Sequence, residues 1–285
     1  MSSIHTFVTV ADVKEYAPGV DQSLLEATIR PYLYPAHKIV ASIVGIDLFN
    51  QIADGDNVVV KSHLKSAVAN RVMYDYKLFE TVQKRQTGNV DTYKYELQAM
   101  QDSYLAYYFD AVDSLIRELQ DNSDQYSAWK DTTLAKAIDT LMLKTTDEFN
   151  SCYLIDSSDY FFFSTVSLQQ RVIDQYVTGI DVDALSEPLH RRLKRVVATF
   201  TVAYALRQFD FTMLPRSLRN AAAEGASRNA KSEQELMYNL SEYLFGQADD
   251  ELSQILFELN KPDDGEDIPS PTNQNKPWNK FFLMS

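Results

Sequence analysis

Apolar side chains recur through most of this chain at the three- and four-residue spacing that is typical of amphipathic helices. The most regular stripes predict long helices from Val58 to about Val82, from about Thr92 to Gln120 and from about Ser186 to Phe209. The second of these stripes has nearly heptad spacing, which favours packing in a bundle over a free coiled coil. The hydrophobic pattern therefore predicts a mainly α-helical protein.

The N-terminal part of the chain combines clear helix signals with two interruptions. Thr9 followed three residues later by an aspartate predicts a short helix that ends at Tyr16. Farther on, one main helix starts near Thr28 with Pro31 in its first turn, or two shorter helices meet near Pro35. The sequence leaves both arrangements open.

The segments after the second long helix are less regular. We expect helix from Leu134 to Phe149 and a connector, with a short strand as one option, from Cys152 to Phe163. Residues 216–231 are expected to form a loop or a loose helix. Ser232 then begins a helix that Gly246 is expected to break.

Two regions of the chain follow the same plan, which predicts an internally duplicated helical hairpin covering residues 28–79 and 162–214. Val44-Gly45-Ile46-Asp47 matches Thr178-Gly179-Ile180-Asp181, and each glycine suits the position that ends a helix. Leu64 and Leu193 then begin matching stretches of the two long helices. The interval between glycine and leucine is longer in the first copy, and we expect the excess to bulge near Asp54.

Composition supports this architecture and divides the chain into two parts. The 8 glycines and 9 prolines among 285 residues are few, which favours long regular elements. Residues 1–260 are expected to form one helical domain. Residues 261–285 are rich in proline and polar side chains and are expected to form an extended docking tail. The tail's apolar end contains Trp278, Phe281, Phe282 and Leu283.

The formal net charge of −13 argues against a general duplex-DNA binder, because phosphate neutralisation supplies the affinity of such proteins. A single cysteine excludes an intrachain disulfide and fits a reducing compartment. The start of the chain lacks the features of a signal peptide, and no apolar run is long enough to span a membrane. We therefore expect a product of the cytoplasm, or part of an assembly built there.

The sequence contains no recognisable catalytic or cofactor-binding motif. The four histidines lie far apart, and Asp181 with Asp183 fits a helix-corner cap better than a metal-ligand pair. Cys152 is interpreted as a buried small residue because a nucleophile would need a basic neighbour in the sequence. We expect no cofactor, no metal and no enzymatic activity.

A basic cluster stands out in this acidic chain: Arg191, Arg192, Lys194 and Arg195. It is either the solvated face of a helix or a patch that meets an acidic partner or a phosphate backbone. Arg216 and Arg219 add a second basic group on the segment that follows Pro215. Both groups and the apolar end of the tail are candidate protein interfaces.

Several of these features together resemble a known group of proteins. They are Ile29-Arg30-Pro31-Tyr32 leading to the Ile43–Phe49 corner, the helix from Ala67 to Tyr76, the repeat of this plan, and the Phe-Phe-Leu-Met ending. Together they make the chain similar to uncharacterised proteins encoded beside structural genes in phages and prophages of Bacteroidales. In crAss-like tailed phages such proteins are head–tail connector proteins, of the ring or adaptor type.

This resemblance implies a virion protein that forms a homo-oligomeric ring of twelve copies beneath the portal. The ring would contact the portal and other connector or tail proteins, and DNA would pass through its lumen without specific binding. The family implies no catalytic residues. The rival interpretation from the residues alone is a soluble helical enzyme or regulatory protein whose site is assembled from scattered residues.

Overall fold

The fold is known from a computed structural model that describes residues 7–86, 94–224 and 233–260, and every regular element in these ranges is helical. The α-helices are α1 (Val10–Tyr16), α2 (Glu26–Val44), α3 (Ile46–Asp54), α4 (Val58–Gln86), α5 (Lys94–Asp121), α6 (Ser127–Lys130), α7 (Thr133–Ile138), α8 (Thr146–Cys152), α9 (Asp159–Ser164), α10 (Val166–Val172), α11 (Glu187–Gln208), α12 (Arg216–Glu224) and α13 (Glu233–Leu259). The prediction of a mainly α-helical bundle is confirmed. The option of a strand between residues 152 and 163 is wrong, because α8 ends and α9 begins there.

Two long helix pairs form the framework of the bundle. In the N-terminal part, α4 packs along α5, and α1, α2 and α3 lie against α4. In the C-terminal part, α11 packs antiparallel to α13, with Arg192 near Glu251 and Arg207 near Ser241. The buried side chains of both parts belong to one continuous hydrophobic core.

The α11–α13 pair is fixed by polar contacts as well as by apolar burial. Arg207 donates from Nε to Ser241 Oγ at 2.9 Å, and its guanidinium lies 4.3 Å from the centroid of the Phe245 ring. The Ser241 hydroxyl in turn donates to the Ala203 carbonyl at 2.8 Å. These contacts set the register of α13 on α11, which positions the candidate site described below.

Of the two arrangements that the sequence left open, the single helix is observed, although α2 begins at Glu26 and Pro31 therefore lies beyond its first turn. The helix contains both Pro31 and Pro35. Both prolines are exposed, whereas Ile29, Leu33 and Ala36 face the core. Each proline removes one backbone hydrogen bond, but it does so on the solvent side, where the freed carbonyl can meet water. Burial of the opposite face then keeps the helix continuous.

The two predicted glycine corners have similar backbone conformations. Gly45 ends α2 with φ of 90°, and Gly179 follows a π-helix (Ile173–Val177) with φ of 100°. The chain after them differs: Gly45 leads directly into α3, whereas residues 180–186 form turns and bends before α11. The extra residues of the first copy thus form a helix, so the expected bulge near Asp54 is replaced by the end of α3.

Other boundaries also differ from the sequence prediction. Residues 139–145 leave the helical conformation between α7 and α8, and residues 216–224 form a regular helix. Gly246 lies inside α13 without breaking it, because the flanking Leu244 and Ala248 are buried in the core. Residues 261–285, the predicted tail, lie outside the described residues.

Candidate functional site

A groove of about 530 Å³ lies between the end of α8 and the first half of α11. Ser151 and Cys152 contribute one side, and Pro188 lies at the start of the other. Its remaining lining residues are all charged, and they are Glu148, Arg191, Arg192, Lys194 and Arg195. All four cations of the predicted basic cluster therefore line this one groove, which we call the basic groove.

Local sequence signals place both walls of the basic groove. Thr145 caps α8 by accepting a hydrogen bond from the Glu148 backbone N–H at 3.1 Å. The Glu148 side chain accepts from the backbone N–H of Lys144, the residue before Thr145, at 2.7 Å. Pro188 lies in the first turn of α11, where its missing N–H removes no helical hydrogen bond.

Arg192 is the member of the cluster that forms ion pairs with α13 of the same chain. Its side chain is 20% exposed, and Nε donates to Glu251 Oε1 at 2.6 Å. The same guanidinium reaches Gln254 and Glu258, which lie about one and two turns beyond Glu251 on α13. These carboxylates raise the pKa of Arg192 above its ordinary value. Arg192 thus ties α11 to the C-terminal part of α13.

Among the described residues, the other three cations form no ion pair with α13. Lys194 Nζ lies 3.5 Å from Glu148 Oε1, so it joins α11 to α8 across the groove. Arg191 is exposed, and within the described part of the chain its ion pair is with Glu187, at 3.8 Å on the same helix. Arg195 is exposed and forms no ion pair within residues 7–86, 94–224 and 233–260. Two guanidinium groups therefore remain available at the groove.

Cys152 is half-buried in the groove wall and not enclosed in the core as the sequence interpretation expected. Burial raises the pKa of its thiol, while Lys194 and Arg195 act in the opposite direction and do not overcome it. A thiol with a raised pKa is a poor nucleophile near neutral pH. The basic groove is therefore better suited to binding anionic groups than to thiol chemistry.

The second predicted basic group lies elsewhere, on α12. Arg216 is exposed at the first position of this helix and Arg219 is half-buried, and neither lines the basic groove. The start of α12 is fixed by the 153–158 segment: Asp156 accepts from the Ser217 backbone N–H at 2.8 Å. The structure does not bring the two predicted basic groups into one site.

The remaining candidates have structural roles. Asp181 accepts from the backbone N–H of Ala184 at 3.3 Å, which is a turn contact. His37 is buried and its Nε2 accepts from the Val8 backbone N–H at 3.3 Å. No group of metal-ligating side chains is assembled in the part of the chain that the structure describes. Among the described residues, no helix has the length and apolar character needed to cross a membrane.

Sequence reasoning missed one polar cluster, at the junction of α5 with α9. Asp113 accepts from the Tyr160 backbone N–H, and Arg117 donates to Asp159 at 3.2 Å. Thr146 also donates to the buried Asp159. The neighbouring residues of an aspartate on a helix do not reveal such pairing. Asp113 and Tyr160, and likewise Arg117 and Asp159, are more than forty residues apart in sequence.

The chain belongs to a family of unknown function, DUF6712, whose model matches residues 43–137 and 159–264. These two stretches cover more than two thirds of the chain and include α11, α13 and most of the basic groove. No curated protein and no solved structure matches the chain.

Proposed function

We propose that this protein is a structural virion protein that forms a ring of twelve copies below the portal in a phage head–tail connector. The ring surrounds the DNA channel and contacts the portal on one side and another connector or tail protein on the other. The protein acts at the head–tail interface of the virion and is assembled in the host cytoplasm. The proposal starts from the resemblance of the Gly-Ile-Asp corners and flanking helices to connector proteins.

The observation that carries the proposal is the set of large apolar side chains that the fold leaves exposed. Val58 is 75% exposed and Val59 is 50% exposed at the start of α4. On α13, Tyr243 is 61% exposed and Tyr238 is 54% exposed. The fold buries a large hydrophobic core elsewhere. The exposure of these side chains is therefore not explained by the lack of a core that could hold them. Exposed aliphatic and aromatic side chains of this kind favour contact with another protein surface.

The electrostatics of the chain are compatible with a channel that DNA slides through. A net charge of −13 disfavours the phosphate contacts that would retain a duplex. Within the most basic part of the surface, Arg192 and Lys194 are already engaged by carboxylates of the same chain. The cations therefore support contacts between protein elements more than a grip on DNA.

The test is native mass spectrometry of the full chain, alone and with a portal protein from the same genome. We expect a closed ring of twelve copies and a complex with the portal. A double variant, Val58→Asp with Val59→Asp, should remain folded because aspartate is tolerated in the first turn of a helix, yet it should assemble poorly. The matched control, Gln51→Glu, adds charge at an exposed position of α3 and should assemble normally.

A chain that stays monomeric at high concentration, both alone and with the portal protein, would overturn the proposal. That result would favour a soluble enzyme or regulatory protein. Equal assembly by the Val58/Val59 variant and the Gln51 control would instead move the interface away from the start of α4.

A further inference from the structure

We propose that the basic groove binds the acidic segment Asp263–Asp267 of the same chain. This segment begins four residues after the last residue of α13 and contains Asp263, Asp264, Glu266 and Asp267. The segment lies outside the described residues, and the inference concerns a contact within one subunit. It therefore does not depend on ring formation.

Charge complementarity is the first argument. The groove presents four cations and one carboxylate, Glu148, in a chain whose overall charge is strongly negative. Lys194 Nζ lies 3.5 Å from Glu148 Oε1, so these two charges are paired. Arg191 and Arg195 are exposed. The acidic segment offers four carboxylates within five residues, and the groove offers it two exposed guanidinium groups, Arg191 and Arg195. Arginine guanidinium groups are suited to paired hydrogen bonds with carboxylates.

The path of the chain is the second argument. Glu258, in the last turn of α13, pairs with Arg192, so the helix that precedes the acidic segment ends beside the groove. An extended chain advances at most about 3.3–3.6 Å per residue, so three residues beyond Asn260 can span roughly 10 Å. Arg191 and Arg195 lie about one helical turn apart, roughly 6 Å along α11. The segment can therefore reach both guanidinium groups without any displacement of α13.

These two arguments favour the chain's own segment over other anionic occupants. A phosphate backbone would bring the right charge, but its approach is opposed by the net charge of −13. A segment tethered next to the groove has a high effective concentration there, which a separate molecule or second copy lacks. The contact also extends the α11–α13 pairing that Arg192 begins.

Cys152 provides a native reporter because it is the chain's single cysteine and lines the groove. The rate of its alkylation by N-ethylmaleimide, an uncharged reagent, is measured on the full chain as a function of pH. The pH profile separates a change in thiol pKa from a change in access. The segment is neutralised by four substitutions: Asp263→Asn, Asp264→Asn, Glu266→Gln and Asp267→Asn. We expect this variant to show a pH-independent alkylation rate about threefold or more above that of the wild type. High salt should raise the rate of the wild type in the same way.

The matched control neutralises exposed carboxylates away from the groove, with Asp47→Asn, Asp54→Asn and Asp56→Asn near α3. This variant should alkylate at the wild-type rate. Equal rates for the wild type, the neutralised segment and the control would overturn the proposal. Slower alkylation on addition of duplex DNA, with no effect of neutralising the segment, would assign the groove to a phosphate backbone and overturn it as well.

Carbodiimide cross-linking of full-length protein supplies a second, geometric test. Lys194 should link to a carboxylate of the Asp263–Asp267 segment, and its link to Glu148 at 3.5 Å serves as the internal positive control. An equal mixture of ¹⁴N- and ¹⁵N-labelled protein should give linked peptides of one isotope only. Mixed-isotope links would place the segment on another copy and overturn the assignment within one subunit, whether or not the ring forms.

Discussion

Asp113 on α5 accepts a hydrogen bond from the backbone N–H of Tyr160, with 2.6 Å between Oδ1 and N, and so caps α9 from a different helix. Ser158 also donates to this carboxylate, at 3.3 Å, and itself caps α9 by accepting from Phe161. The contact lies where the N-terminal helices meet the C-terminal ones. Burial raises the pKa of Asp113 to about 6, against the lowering effect of the Tyr160 hydrogen bond.

The raised pKa of Asp113 predicts a pH-dependent contribution to stability. The folded protein binds this proton more tightly than the unfolded chain does, so the contribution is fully present at low pH and is lost as the pH rises from about 4 to about 6. Asp113→Asn keeps an acceptor at the same position and removes the charge. Relative to the wild type, its free energy of unfolding should increase between pH 4.5 and pH 7 by on the order of 1–2 kcal/mol. Urea denaturation at several pH values measures this difference, and a constant difference would contradict it.

Arg192 and its neighbour Arg191 should differ in their contribution to stability. Arg192→Ala removes the contacts with Glu251, Gln254 and Glu258 of α13 and should lower the free energy of unfolding by about 1–2 kcal/mol. Arg191→Ala removes one long, exposed contact and should change it by less than about 0.5 kcal/mol. Thermal and chemical denaturation of both variants make the comparison. If Arg192→Ala changed the free energy of unfolding as little as Arg191→Ala, the cluster would act as a solvated helix face.

Gly45 should tolerate neither alanine nor asparagine. Its backbone has φ of 90° and ψ of 142°, a region that side-chain-bearing residues rarely adopt. Apart from its own chain neighbours, no described residue has an atom within 4 Å of an added Cβ, so the cost comes from the backbone conformation. Each substitution should destabilise the fold by about 1–3 kcal/mol. Lys38→Ala, at an exposed position inside α2, is the control and should be nearly neutral, as followed by the melting temperature.

Truncation separates the roles proposed for the two parts of the tail. A chain ending at Ile268 keeps the acidic segment but loses Trp278, Phe281, Phe282 and Leu283. We expect it to retain wild-type alkylation of Cys152 and the monomer's melting temperature, but to lose ring assembly. A chain ending at Asn260 should keep its helical content and melt within a few degrees of the wild type, because exposed ion pairs add only about 0–1 kcal/mol.

A much lower melting temperature for the monomeric chain ending at Asn260 would show that the tail packs on its own core. Normal ring assembly by the chain ending at Ile268 would remove the apolar end from the interface. Circular dichroism and native mass spectrometry of both truncated chains distinguish these outcomes.

The sequence alone determined the helical class and several exact features of the helices. Thr9 and Asp12 form the predicted capping box at the start of α1, and the long stripes place α4, α5 and α11 close to their observed bounds. Gly45 and Gly179 have the positive φ that the repeat predicted. Such features depend on neighbours within a few residues, where spacing, caps and backbone preference act directly.

Tertiary structure decided the continuity of the helices that contain proline or glycine. Pro31 and Pro35 fit into α2 because they face solvent, and Gly246 fits into α13 because burial of its neighbours outweighs a modest helix penalty. The π-helical turn before Gly179 also depends on distant residues. There Tyr176 stacks on Phe200 with 4.1 Å between ring centroids, and Gln175 accepts from the Tyr204 hydroxyl.

The site depended on tertiary structure in the same way. The sequence placed Arg191, Arg192, Lys194 and Arg195 on one helix, and successive residues of a helix point in directions about 100° apart. Only the packing of α13 and α8 against α11 placed Arg192 beside Glu251 and Lys194 beside Glu148. The same packing left Arg191 and Arg195 exposed. The physical reason is that an ion pair needs its partner in space, and the partners Glu251 and Glu148 lie more than forty residues away along the chain.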